Sequence, residues 1–254
     1  MAADDALMAR IEKGEKIAGG EDLAPAYRGE VTRLMSIFVD TEIAWAAGYA
    51  DYINRAPGMR ERVVTARIVA EKLDHAERVL ALLAVFGVRP ELYIREHAWT
   101  ARLDRNVRLG ARRVGDDKRL NVLHYPQEGW TDAVVMNSLM GPATVLHLTE
   151  LAGASYAPLA EAMGTIVERE AEHAKLAEKG LAQAVERQGA ASAQAAVDYW
   201  YPRVADSFGR LDSDRYDQYR RYGLRKATNA ELLALWQEDA RGMLKRVGLA
   251  GPAA

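Results

Sequence analysis

Two short patterns place ionisable side chains at helical spacing: Lys72-Leu73-Asp74-His75 and Glu170-Ala171-Glu172-His173. Residues three apart share a helix face, so each pattern turns two polar groups the same way. Glu-x-x-His brings a carboxylate and an imidazole to one ion from a single helix, and carboxylate di-metal bundles use it. Lys-x-x-His repeats that geometry with an ammonium in the carboxylate's place. Both patterns fall on apolar stripes. Lys72 and His75 share theirs with Ile68, Val69, Ala76, Val79 and Leu83, while Arg67, Glu71, Asp74 and Arg78 face away. Glu170 and His173 share theirs with Met163, Ile166, Val167, Ala174, Ala177 and Leu181, while Glu168, Arg169, Glu172 and Lys175 lie elsewhere. A third stripe, Met35, Phe38, Val39, Trp45, Ala46 and Tyr49, contains Glu42. An unpaired buried charge costs several kcal/mol, so Glu42, Lys72, His75, Glu170 and His173 should meet one another or a metal. A metal centre and a metal-free ion cluster both satisfy that requirement. Trp45 and Tyr49, one and two turns from Glu42, read as core; the alternative is the wall of a substrate pocket.

The elements that must position these groups are helices. Apolar residues recur every three or four positions, and no stretch alternates as a strand would. The spacing predicts long helices over 27–54, from Pro57 to Phe86, over 132–151 and over 157–187. Polar helix is expected over 91–113, loop over 115–127, and shorter helices over 191–207 and 229–247. Arg55-Ala56-Pro57, Gly87, Gly153 and Pro158 punctuate the long ones. Two sequential pairs of long helices predict an all-α bundle with one longer crossover. Residues 1–25 are expected as an N-terminal segment, 26–190 as the bundle and 191–254 as a helical extension of the same domain.

Composition narrows the function. The chain has 254 residues, a net charge of −2 and 49% hydrophobic residues, which excludes a disordered chain or a generally basic nucleic-acid binder. It contains no cysteine, so thiol nucleophiles, zinc ribbons and disulfides are excluded. There is no apolar run long enough to span a membrane and no signal-type leader, so the cytoplasm is the expected location.

Several segments, short individually but specific in order and spacing, carry a family resemblance. They are Ala26-Tyr27-Arg28, Thr41-Glu42-Ile43, Arg55-Ala56-Pro57, Ala70-Glu71-Lys72-Leu73-Asp74-His75, His124-Tyr125-Pro126 and Ser155-Tyr156-Ala157-Pro158. Glu170-Ala171-Glu172-His173, Trp200-Tyr201-Pro202, Ser207-Phe208-Gly209 and Thr228-Asn229 complete the set. From about Ala26 to Leu249 the chain resembles the catalytic subunits of multicomponent phenylacetyl-CoA ring epoxidases, with benzoyl-CoA epoxidase a more distant relative. The resemblance implies a ferritin-like fold, a di-iron carboxylate site, monooxygenase chemistry with dioxygen and an aromatic acyl-CoA substrate. It also implies a reductase and a related subunit, or further copies of the chain, as partners.

Carried over by position, the metal ligands fall at Glu42, Lys72, His75, Gly141, Glu170 and His173. A glutamate is expected where Lys72 stands and an aspartate where Gly141 stands; Glu150, the nearest acidic residue on that helix, lies off the stripe. Two ferrous ions with two carboxylates and an added ammonium would leave about +3 uncompensated in a low-dielectric interior, which disfavours an ordinary di-iron site. Two arrangements follow. In one, a single iron or similar divalent ion is held by Glu42, His75, Glu170 and His173, with Lys72 tuning or replacing the second metal in an oxygenase acting on or binding an acyl-CoA. In the other, no metal is bound. Lys72 bridges Glu42 and Glu170, and the chain is a structural or scaffolding subunit.

Two further clusters invite reading. Arg102, Arg105, Arg108, Arg112 and Arg113, followed by Lys118 and Arg119, either contact the phosphates of a coenzyme A thioester or form a solvated face paired with Glu91, Asp104 or Asp116. Nucleic acid is not expected there, since the nearby aromatics are only Tyr93 and Trp99. Between Tyr199 and Tyr222, aromatics alternate with Arg203, Arg210, Arg215, Arg220 and Arg221. That pattern fits either a partner surface or a self-contained set of Arg–Asp pairs and Arg–Tyr stacks.

Overall fold

The computed structural model describes residues 2–19 and 23–251. Helix α1 spans Ala2–Glu12, α2 Pro25–Arg55, α3 Met59–Val85, α4 Pro90–Glu96, α5 Trp130–Ala152, α6 Ala157–Gln188, α7 Ala190–Asp206, α8 Asp214–Arg221 and α9 Asn229–Arg246. No strand occurs among the described residues; an isolated bridge joins Ile17 to Tyr156.

Local chemistry accounts for the boundaries. Proline occupies the first turn of both α2 and α6, where its missing N–H would have no helical acceptor. Gly129 and Gly189, both at positive φ, lie at the start of α5 and the end of α6. Thr228 and Glu231 close a full capping box on α9. Helix α3 begins two residues later than Pro57 predicts, because Gly58 is its N-cap.

The four long helices form two antiparallel hairpins, α2–α3 and α5–α6, packed side by side with a long crossover between them, the ferritin-like arrangement. The faces read from the sequence turn inward: Met35, Val39, Ile68, Val79, Leu83, Met163 and Ile166 are all buried. Helix α5 is the most enclosed of the four. From Thr131 to Gly141 every residue is buried, because α6, α7 and α9 surround it. Trp200 of α7 and Trp236 of α9 are fully buried in this core, and the Trp236 indole N–H donates to the Leu139 carbonyl at 2.9 Å.

The polar helix expected over 91–113 is not formed. Helix α4 stops at Glu96, and 97–120 run as an irregular segment before a single 3₁₀ turn at Asn121–His124. Two arginines organise this segment from within. Arg119, fully buried, pairs with Asp117 through Nε and Nη2 at 2.7 Å and donates to the carbonyls of Ala98, Trp99 and Ala101. Arg102 donates to Trp99, Ala101 and, across to α2, Ala44. Carbonyls that a helix would have used internally accept from guanidinium groups instead. Helices α1 and α8 add to the elements that the sequence pattern predicts.

Candidate functional site

Glu42 comes from the middle of α2, Lys72 and His75 from α3, Glu170 and His173 from α6. All five are buried, with 1–5% of each residue exposed. Long amphipathic helices make this possible: each carries its polar group on an otherwise apolar stripe, so packing the stripes brings the polar groups together.

Lys72 is at the centre. Its Nζ donates to Glu42 Oε1 at 3.2 Å, Glu170 Oε1 at 3.1 Å and Glu170 Oε2 at 3.0 Å. The Trp45 ring covers the ammonium, its centroid 3.7 Å from Nζ, a desolvated cation–π contact of about 2 kcal/mol. Asn137 of α5 fixes that ring by accepting the indole N–H at 2.8 Å. His75 Nδ1 lies 3.0 Å from Glu170 Oε1 and 3.3 Å from Glu42 Oε2. His173 Nδ1 lies 3.3 Å from Glu170 Oε1, and its Nε2 lies 2.5 Å from Glu71 Oε2.

Glu71 corrects the outward position that the helical pattern assigns it. It sits at the rim of the cluster with its side chain 27% exposed. The available signal was His173 itself: an imidazole on a core face needs a partner for each ring nitrogen. Trp45 faces the ammonium, and Tyr49 is also buried.

The electrostatics are those of a closed ion cluster. Burial acts against the Lys72 ammonium, but Glu170 and Glu42 outweigh it and hold its pKa above the usual lysine value. Burial likewise opposes charge on His75, yet hydrogen bonds to Glu170 and Glu42 push its pKa up to about 9. The Glu170 carboxyl is held well below its usual range; burial would raise it, but Lys72 and the two histidines prevail.

The fit to metal can be read from the same distances. Glu42, His75 and Glu170 offer ligand atoms within 4.8 Å of one another, enough for one ion. The Lys72 ammonium occupies the space between those carboxylates, so ion and ammonium compete for the same oxygens. A metal pair does not fit. At Gly141 there is no side chain to donate, and an added Cβ would lie 2.8 Å from Ala174 Cβ and 2.9 Å from Ala174 Cα. There α5 and α6 meet along small residues: Gly141 on Ala174, the Ser138 hydroxyl donating to the Ala177 carbonyl at 2.9 Å, and Gly180 on Val134. Glu150 is remote from the cluster, accepting from the backbone N–H groups of Lys226 and Ala227.

The class is a ferritin-like bundle in which Glu-x-x-His and Lys-x-x-His converge from two hairpins and an ammonium lies between the carboxylates. The family model for phenylacetic acid catabolic proteins matches residues 8–254, and this chain belongs to that family. A relative is the A component of the 1,2-phenylacetyl-CoA epoxidase of Escherichia coli (strain K12), 23% identical over 257 residues, covering 99% of this chain and 78% of that protein. No helix among the described residues is long and apolar enough to cross a membrane.

The two arginine clusters make the following contacts. Arg102 and Arg119 are internal staples. Arg105 makes a bidentate pair with Asp132 at 2.7 and 2.9 Å and lies over Tyr199, and Arg113 donates to Asn121 and the Arg119 carbonyl. Arg108, Arg112, Arg113 and Lys118 are left exposed, and no ion pair joins the run to Glu91, Asp104 or Asp116 among the described residues. In the C-terminal segment Arg203 stacks on Tyr199 and Tyr125, Arg215 pairs with Glu30 and Arg210 with Asp212. Those are the self-contained contacts of the second sequence reading.

Proposed function

We propose that this chain is a metal-independent, structural subunit of an epoxidase-type complex that handles an aromatic or related acyl-CoA. It assembles with a related subunit or with further copies of itself. One observation carries the reading: Lys72 Nζ lies 3.0–3.2 Å from the carboxylates of both Glu42 and Glu170. A divalent cation entering there must displace the ammonium or leave surplus positive charge in the core, and either is costly. In this reading the cluster keeps the bundle's register, while the family's redox chemistry and reductase belong to other subunits.

The experiment is metal analysis of the full chain after anaerobic incubation with ferrous iron and desalting. The expected result is far below one iron per chain, with the same outcome for manganese and zinc. A second reading, a single iron in an oxygenase-like site, draws on the convergence of Glu42, His75 and Glu170, with His173 beside them. One ion per chain, lost in Glu170→Ala with the fold intact, would establish that reading and overturn the first.

A further inference from the structure

At the Met59 end of α3 the two hairpins part. Small residues hold α6 against α5 there, with Gly180 on Val134, and a groove of about 630 Å³ opens between α3 and α6. Its floor is apolar and buried at Ile68 and Val134. Its α3 wall is apolar but open: Met59 is 75% exposed and Val63 54%. Three exposed cations, Arg60 and Arg67 of α3 and Lys179 of α6, stand on its rim. Among the described residues no ion pair engages any of the three, and Glu61, the acid on the same rim, is taken by Arg187 at 3.0 Å.

The complementary pattern lies on α9. Leu235 is 50% exposed, and Glu231, Glu238 and Asp239 are exposed around it. The salt bridge that α9 makes among the described residues is at its far end, from Arg246 to Glu178. Glu238 and Asp239 are therefore unpaired, and Glu231, which has Arg220 near it, uses only Oε2 in the helix cap. The spacings match as well as the signs. On α3, Arg60 precedes Val63 by three residues and Arg67 follows it by four; on α9, Glu231 precedes Leu235 by four and Glu238 follows it by three. Set antiparallel, the two helices bring Val63 to Leu235, Arg60 to Glu238 and Arg67 to Glu231 in a single register, since both charge pairs span about 10.5 Å of helix.

We propose that the groove between α3 and α6 receives the outward face of α9 from a second copy of this chain. Leu235 enters beside Met59 and Val63, and the charges flank it. The apolar contact supplies most of the affinity and the charges select the register, because exposed ion pairs contribute little by themselves. Groove and ridge are different faces of one chain, so copies join head to tail until a ring closes. The inference gives a surface to the assembly proposed above and rests on that reading only in taking further copies of the chain as partners.

Sedimentation equilibrium of the full chain from about 5 to 500 μM tests it. The weight-average mass should rise above that of one chain in about 50 mM salt and fall back towards it in about 500 mM. Arg60→Glu with Arg67→Glu should weaken association about thirty-fold, and Leu235→Asp about ten-fold. Mixing these two variants is the decisive step. One keeps its ridge and the other its groove, so together they should form a one-to-one pair within about three-fold of the parental affinity. All three positions are exposed, and the variants should melt as the parent does; where one does not, Arg67→Gln and Leu235→Ala replace it, each weakening association about five-fold. A monomer at about 500 μM overturns the proposal and leaves the groove to a different protein or a small amphiphile. Association that these variants leave unchanged, or that mixing fails to restore, overturns it too. Bound iron would overturn the metal-independent reading and leave this one standing; a monomeric chain without iron would do the reverse.

Discussion

The two helical hairpins offer the same positions to the centre and fill them differently. Hairpin α2–α3 sends in three buried ionisable side chains, Glu42, Lys72 and His75, with Glu71 at the rim. Hairpin α5–α6 sends in two, both from α6, because α5 presents Gly141. The first hairpin spaces its helices around a charged cluster covered by Trp45. The second closes its helices on each other through Gly141, Ser138 and Gly180 until an added Cβ at Gly141 would fall inside contact distance of Ala174. Symmetric ligand supply is what a two-ion centre needs. Here the supply is unequal, and the cation between Glu42 and Glu170 is Lys72.

The sharpest way to break the comparison is to remove that cation. Lys72→Met leaves two buried carboxylates without their main partner and should cost about 3–5 kcal/mol, read by urea unfolding near neutral pH. A variant as stable as the parent would remove Lys72 from its central role. A smaller effect belongs to the second hairpin. Gly141→Ala adds one methyl group against Ala174 and should cost about 1–3 kcal/mol, because the obstacle is helix backbone as well as side chain. A neutral or stabilising result would mean that α5 and α6 separate easily, and the contrast between the hairpins would lose its basis.

A further test is a pH dependence. His75 titrates at about 9 in the fold against 6.5 for a free imidazole, so it binds its proton more tightly when folded. Its contribution is complete below about pH 6.5 and fades as pH rises through about 9. Unfolding measured from pH 6 to pH 9.5 should show falling stability in the parent and a flatter profile in His75→Gln. An equal slope in both would assign the dependence to another group.

Much of this is legible in sequence. The four long helices and their inward faces follow from periodicity, and the same period puts Glu42, Lys72, His75, Glu170 and His173 on those faces. Glu71 escapes the pattern because a side chain at the rim of a stripe can reach the centre when a histidine opposite needs an acceptor. Segment 97–120 escapes it because its arginines bond to loop carbonyls, and such pairings have no period. The small-residue seam of α5 and α6 is invisible in sequence because small side chains permit a close approach without declaring one. His147 stands out only as a lone imidazole in an apolar helix; the fold stacks it on Phe208.

The seam at Gly141 also gives the centre a direction of change. Replacing Lys72 with a carboxylate alters one residue and is reversible. A side chain at Gly141 would instead press on Ala174 and force α5 and α6 apart there. Substitutions at the first position are opposed by the charge of Glu42 and Glu170, whereas those at the second are opposed by helix packing. The two positions therefore resist change for different reasons, one a matter of charge on a single side chain and the other of the distance between two helices.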